Sequence, residues 1–154
     1  MGVTHMGNLV KKVFFDNSAK TSAEAIEFLS AQAVELGITD DKDAVLAAFN
    51  EREAQGPTGM TGGFALPHAK SAAIKEPAVV VIKFADEVEW KSMDDTAIKA
   101  AIAIFVPDAE AGTTHLAILA KIAGLLMNPE FTSTVLASND EEEIIDIIED
   151  GIGE

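Results

Sequence analysis

Residues 79–84 and 100–106 are two near-continuous apolar runs, VVVIKF and AAIAIFV, and they restrict this chain more than any other feature. Neither alternates apolar with polar, as a strand with one wet face would. Short runs of Val, Ile, Ala and Phe read as strands buried on both sides. Strands of that kind need helices above and below, so helical periodicity should fill much of the remainder. Residues 22–36 carry Ala25, Ile26, Leu29, Ala33 and Leu36 at the spacing of one helical face, with Gly37 just past the end. Residues 39–54 present Val45, Ala48 and Phe49 in the same way, capped by Thr39 or Asp40. Leu119, Ile122 and Leu126 stripe residues 114–126, and Asn128-Pro129 opens a further helix to about Leu136. A last helix over 138–150 starts at Ser138 or Asn139 before a Glu cluster and turns Ile144, Ile145 and Ile148 inward. Residues 9–15 read as a first strand, and a hairpin through Trp90 and Met93-Asp94-Asp95 joins the two apolar runs. Strands interleaved with helices make one α/β domain over residues 9–154.

Composition then narrows the function. The 154 residues suffice for a single core without disulfides or metal, and there is no cysteine. That excludes thiolate nucleophiles and Cys-ligated zinc, and it suits a reducing compartment such as the cytoplasm. The 26 acidic against 11 basic residues give a net charge of -15, which argues against nucleic acid and anionic membranes as main partners. The longest apolar runs fall far short of the roughly 20 residues a spanning helix needs. Residues 1–8, with Met1, His5 and a second Met6, are expected to be a leader or an expression remnant.

Three features can carry chemistry. Arg52, the sole arginine, stands four residues before a glycine-rich stretch, GPTGMTGG at 56–63. A guanidinium offers a planar fork of donors that fits phosphate oxygens, although a cation near a helix end is also favoured by the dipole alone. Glycines let successive N–H groups converge on an anion, and Thr58 and Thr61 add hydroxyls. The stretch matches neither a P-loop nor a dinucleotide fingerprint, so any phosphate held there is not part of a bound nucleotide. His68 follows an apolar strand, 64–66, that Pro67 stops, which places its ring at a sheet end where α/β proteins gather ligands. His115 lies in the first turn of a helix, a position that favours anions and lowers a histidine's pKa. No HExxH or G-x-S-x-G pattern supports metal or serine hydrolysis.

At Gly63-Phe64-Ala65-Leu66-Pro67-His68 the chain resembles the enzyme IIA domains of the fructose–mannitol class of the bacterial phosphoenolpyruvate-dependent sugar phosphotransferase system. The resemblance runs from about Leu9 to Ile148. It includes Arg52-Glu53, Gly56-x-Thr58-Gly59, Lys75-Glu76-Pro77, Trp90, Pro107 and His115-Leu116-x-x-Leu119. It implies a mixed sheet with helices on both faces, and use of neither nucleotide nor metal as cofactor. It also implies that His68 takes a phosphoryl group from the phosphocarrier protein HPr and gives it to a cysteine of an enzyme IIB domain, hence to a membrane permease. Arg52 and His115 would hold that group, with Thr58 and Gly59 in the loop beside it. The missing cysteine fits, since the next carrier must then lie on another chain. A regulatory alternative, the nitrogen-related enzyme IIA proteins, keeps the same histidine but acts by docking; Lys75-Glu76-Pro77 and Val88-Glu89-Trp90 look more like transport members. Thr61 and Phe64 replace a common glycine and branched aliphatic residue, and Asp94-Asp95 replaces the usual Asp-Gly turn. Met60, Phe64 and Ala69 are the candidates for an apolar docking surface around His68, with a core position equally open to Phe64.

Overall fold

The computed structural model describes residues 10–60, 62–92, 94–108 and 114–152, with the backbone alone at 114–116. Residues 1–8 lie outside that set. The two apolar runs are the centre of the sheet, as β4 (Ala78–Val88) and β5 (Ile98–Pro107), paired antiparallel from Ala78↔Phe105 to Val88↔Ile98. Strand β1 (Val10–Asn17) lies parallel to β4 on one side. On the other side β2 (Phe64–Ala65) and β3 (His68–Ser71) both run parallel to β5, one after the other along the same edge. The sheet is mixed, as expected.

Alternation along the central strands sorts the core into two layers. Val79 and Val81 of β4, with Ile102 and Ile104 of β5, meet one cluster. It is built from α3 (Thr114–Leu125), α4 (Pro129–Ala137) and α5 (Glu141–Ile152) through Ile118, Ile122, Phe131, Val135, Ile144 and Ile148. Val80 and Ile82, with Ala103 and Phe105, face the opposite layer. That layer is α1 (Ser22–Glu35) and α2 (Lys42–Gln55), through Ile26, Leu29, Val45 and Phe49. Each such side chain, taken fully out of water, contributes about 1.5–3 kcal/mol before the entropy of ordering it is subtracted.

Three local expectations shift. Helix α5 starts behind Asp140, whose side chain accepts from Glu142 N–H at 3.0 Å, so Asp140 caps it in place of Ser138 or Asn139. Helix α2 is capped by Asp41, which accepts from Ala44 N–H at 3.1 Å, and not by Thr39 or Asp40. Thr39 is buried and its hydroxyl donates to the Ala73 carbonyl at 2.7 Å, tying the α1–α2 connection to the segment after β3. Pro67 interrupts the edge strand without ending it: the Pro67 carbonyl accepts from Ile104 N–H at 3.0 Å, and pairing resumes at His68↔Ile104. Proline lacks an N–H but keeps its acceptor, and an edge strand tolerates that loss.

Candidate active site

Helix α2 crosses β3, and one aromatic contact sets their alignment. Phe49 meets Phe105 edge-on, ring centroids 5.3 Å apart, and Phe105 is the register partner of Ala69. Arg52 follows Phe49 by three residues, one turn nearer the end of the helix, while His68 precedes Ala69. The packing of two buried phenylalanines therefore carries a surface arginine to a strand-edge histidine. Arg52 Nε donates to His68 Nε2 at 3.0 Å, and Arg52 Nη1 donates to the Gly56 carbonyl at 2.8 Å. His68 Nδ1 stands 3.0 Å from the Leu66 carbonyl.

These contacts fix the tautomer by elimination. A guanidinium nitrogen can only donate, so Nε2 is the acceptor; a carbonyl can only accept, so Nδ1 carries the proton. The ring is neutral, with its unprotonated lone pair on Nε2, where it accepts from Arg52. Burial pushes its pKa below the ordinary histidine value; the Leu66 hydrogen bond opposes this, Arg52 lowers it further and Glu53 raises it. The result is a nucleophilic nitrogen available at neutral pH beside the guanidinium best suited to phosphate oxygens. Both residues line a cleft of about 310 Å³ with Glu51, Gln55, Lys70 and Leu119.

The glycine-rich loop folds back on β2. Leu66 N–H donates to the Thr58 carbonyl at 2.9 Å, and Met60 N–H donates to the Phe64 carbonyl at 2.7 Å. Thr58 is buried and turns both donors to Glu53: its hydroxyl to Oε2 and its N–H to Oε1, the latter at 3.4 Å. Gly59 passes so close to the segment after β4 that a Cβ there would stand 2.1 Å from the Lys91 carbonyl oxygen. Gly62 N–H donates to Asp94 at 3.1 Å. The loop is thus held at three points, by α2, by the Lys91-Ser92 backbone and by the β4–β5 turn.

Of the residues singled out from the sequence, Arg52 and His68 come together, with Thr58 and Gly59 in the loop behind them. His115 is the second residue of α3, one helical turn before the cleft-lining Leu119. Its side chain lies outside the described residues, as does Thr61. Of the docking candidates, Phe64 takes its core alternative at 0% exposed and Ala69 is corrected to core at 1% exposed, since alternation sends one into each layer, which leaves Met60. Sequence reasoning gives Glu53 no role of its own and passes over the Leu66 carbonyl. A carboxylate beside the sole arginine is the only trace of the first, and a backbone acceptor leaves none.

Comparison with known proteins places the chain as a whole. Residues 9–151 match the family described as phosphoenolpyruvate-dependent sugar phosphotransferase system, EIIA 2. The fructose-specific EIIA component of Haloferax volcanii is 33% identical over 150 residues, covering 96% of this chain and 97% of that protein. The chain also matches longer EIIABC components, but spans only 20% and 18% of two of them. Among solved structures, nitrogen regulatory protein IIA-Ntr of Neisseria meningitidis superposes with a TM-score of 0.80 at 22% identity, over 89% of this chain and 92% of that one. The mannitol enzyme IIA of Escherichia coli, solved in complex with phosphorylated enzyme IIB, does so at 0.73 and 19% identity, over 96% of each chain. At such identities the structural likenesses establish the fold. The family match over nearly the whole chain and the Haloferax relative make this protein a member of the EIIA 2 family, the phosphotransferase components of the sugar phosphotransferase system.

Proposed function

We propose that the protein is a phosphocarrier that accepts a phosphoryl group on His68 Nε2 from phospho-HPr and passes it to a cysteine of an EIIB partner, in the cytoplasm, for sugar uptake. The observation that carries this is the unprotonated Nε2, held by Arg52 at the mouth of the cleft. Its lone pair attacks phosphorus in line while the donor's bond to phosphorus breaks and that electron pair returns to the donor. In the second step a thiolate attacks, the N–P bond breaks, and its electrons return to the His68 ring. Transfer through a loose transition state asks mainly for positioning and charge stabilisation. Arg52 supplies both once its Nε–H leaves the lone pair and turns to the phosphoryl oxygens. His115 is the second group assigned to those oxygens. Thr58 and Gly59 support the site from the loop. Fructose, or a sugar like it, is the favoured cargo, in view of the Haloferax relative. No helix among the described residues is long and apolar enough to cross a membrane, which fits a carrier that leaves the membrane step to its partner.

Incubation with phosphoenolpyruvate, enzyme I and HPr should add one phosphoryl group to the wild type by intact mass, and none to His68→Ala. A mutant that still gains the mass would end the assignment. The fold likeness to the nitrogen regulatory protein favours a second reading, phosphorylation-dependent binding of other proteins. Delivery of the phosphoryl group to an EIIB cysteine selects the first reading over it.

A further inference from the structure

Adjacent residues of α2 hold opposite sides of the site. Arg52 takes the front of the ring at Nε2. Glu53 takes the loop: its carboxylate accepts both Thr58 donors, the Thr58 carbonyl accepts Leu66 N–H at 2.9 Å, and the Leu66 carbonyl accepts His68 Nδ1–H at 3.0 Å. The path from Glu53 to the rear of the ring is three hydrogen-bonded steps long, and Thr58 at its centre is 3% exposed. Water cannot easily replace a partner there, so loss of the carboxylate leaves a buried hydroxyl and amide without an acceptor. With Arg52 on Nε2, the Leu66 carbonyl on Nδ1 decides which ring nitrogen is protonated, and so which is nucleophilic.

We propose that Glu53 is a positioning residue for phosphoryl transfer: by clamping Thr58 it holds the Leu66 carbonyl against Nδ1 and keeps the His68 lone pair on Nε2. The reason for an Arg-Glu pair then lies in the helix geometry. Neighbouring side chains on a helix diverge by about 100°, so a single turn of α2 reaches both the ring and the loop that orients it. Glu53 touches no reacting atom and acts only through Thr58 and Leu66. The inference rests on the reading of His68 as the phosphoryl acceptor.

The test uses the full chain with Glu53→Ala, Thr58→Val and Thr58→Ser, read in two independent ways. The ¹⁵N shifts of the His68 imidazole report the tautomer without any partner protein. Rates of phosphoryl uptake from phospho-HPr report kcat and KM. Glu53→Ala and Thr58→Val should each move the ring to a mixture of tautomers and lower kcat about tenfold, the effect of a lost hydrogen bond expressed in the transition state, with KM little changed. Thr58→Ser, which keeps the hydroxyl, should restore both. Thr58→Val is nearly isosteric and carries the test if Glu53→Ala does not fold. Variants whose imidazole shifts equal those of the wild type overturn the proposal, whatever happens to the rate. A wild type that takes no phosphoryl group on His68 overturns the function assigned above, while the shifts still decide the role of Glu53.

Discussion

Gly59→Ala tests whether the loop behind His68 is held by close backbone approach. The new Cβ would stand 2.1 Å from the Lys91 oxygen and 2.8 Å from both Lys91 C and Ser92 Cα, whereas ordinary contact begins near 3.4 Å. The segments must therefore part by more than 1 Å. The obstructing atoms are backbone, so no side chain can swing aside. Gly59 also bridges Ala65 on one side and Ser92 on the other, and parting the segments strains both bridges. Overpacking of this kind costs about 1–3 kcal/mol, and a weakened ladder bond adds about 1 kcal/mol. For a chain of this length each kcal/mol moves Tm by about 2–4 °C, so a drop of roughly 5–15 °C is expected. Gly124→Ala is the control: it lies within α3 with nothing within 4 Å of its would-be Cβ, and helix propensity should stabilise it by about 0.5–1 kcal/mol. Thermal unfolding followed by circular dichroism reads both. A Gly59→Ala protein that melts with the wild type would refute the close-approach argument.

Four other outcomes follow from the site and the turn beside it. Arg52→Lys keeps the charge but cannot reach both His68 and the Gly56 carbonyl, and rapid-quench transfer rates should fall roughly ten- to hundredfold. Because burial lowers the His68 pKa, uptake from phospho-HPr should hold level as pH falls to about 6.5 and decline only below it. The linked stability has the same sign. The unfolded chain takes up the proton first, so His68 stabilises the fold fully above about pH 6.5, and that contribution is lost as pH drops toward the lower folded value. A pH series of urea melts, with His68→Ala as reference, checks this. Asp95 sits at φ 59°, the left-handed region, which a side chain disfavours and glycine adopts freely. Asp95→Gly should therefore stabilise the protein by roughly 0.5–1 kcal/mol in the same melts.

Much of the architecture is legible in the sequence because burial leaves a periodic trace. The apolar runs of β4 and β5, with helical stripes such as Ile144 and Ile148, specify a sheet covered on both faces, since water leaves those side chains no other place. His68 and Arg52 are legible as residue types, a lone guanidinium and a histidine after proline, and the resemblance adds their pairing. The alignment of α2 on β3 is not legible, because it depends on how Phe49 meets Phe105 across 56 residues of chain. Nor is the extension of the edge strand past Pro67, which depends on whether β5 offers a donor at Ile104. The tautomer of His68 lies furthest from the sequence. It is decided by a guanidinium on one nitrogen and a backbone carbonyl on the other, and a carbonyl is the same at every residue. Side-chain chemistry by itself determined which residues could react; only the tertiary placement of hydrogen-bond donors and acceptors decided which atom of His68 does.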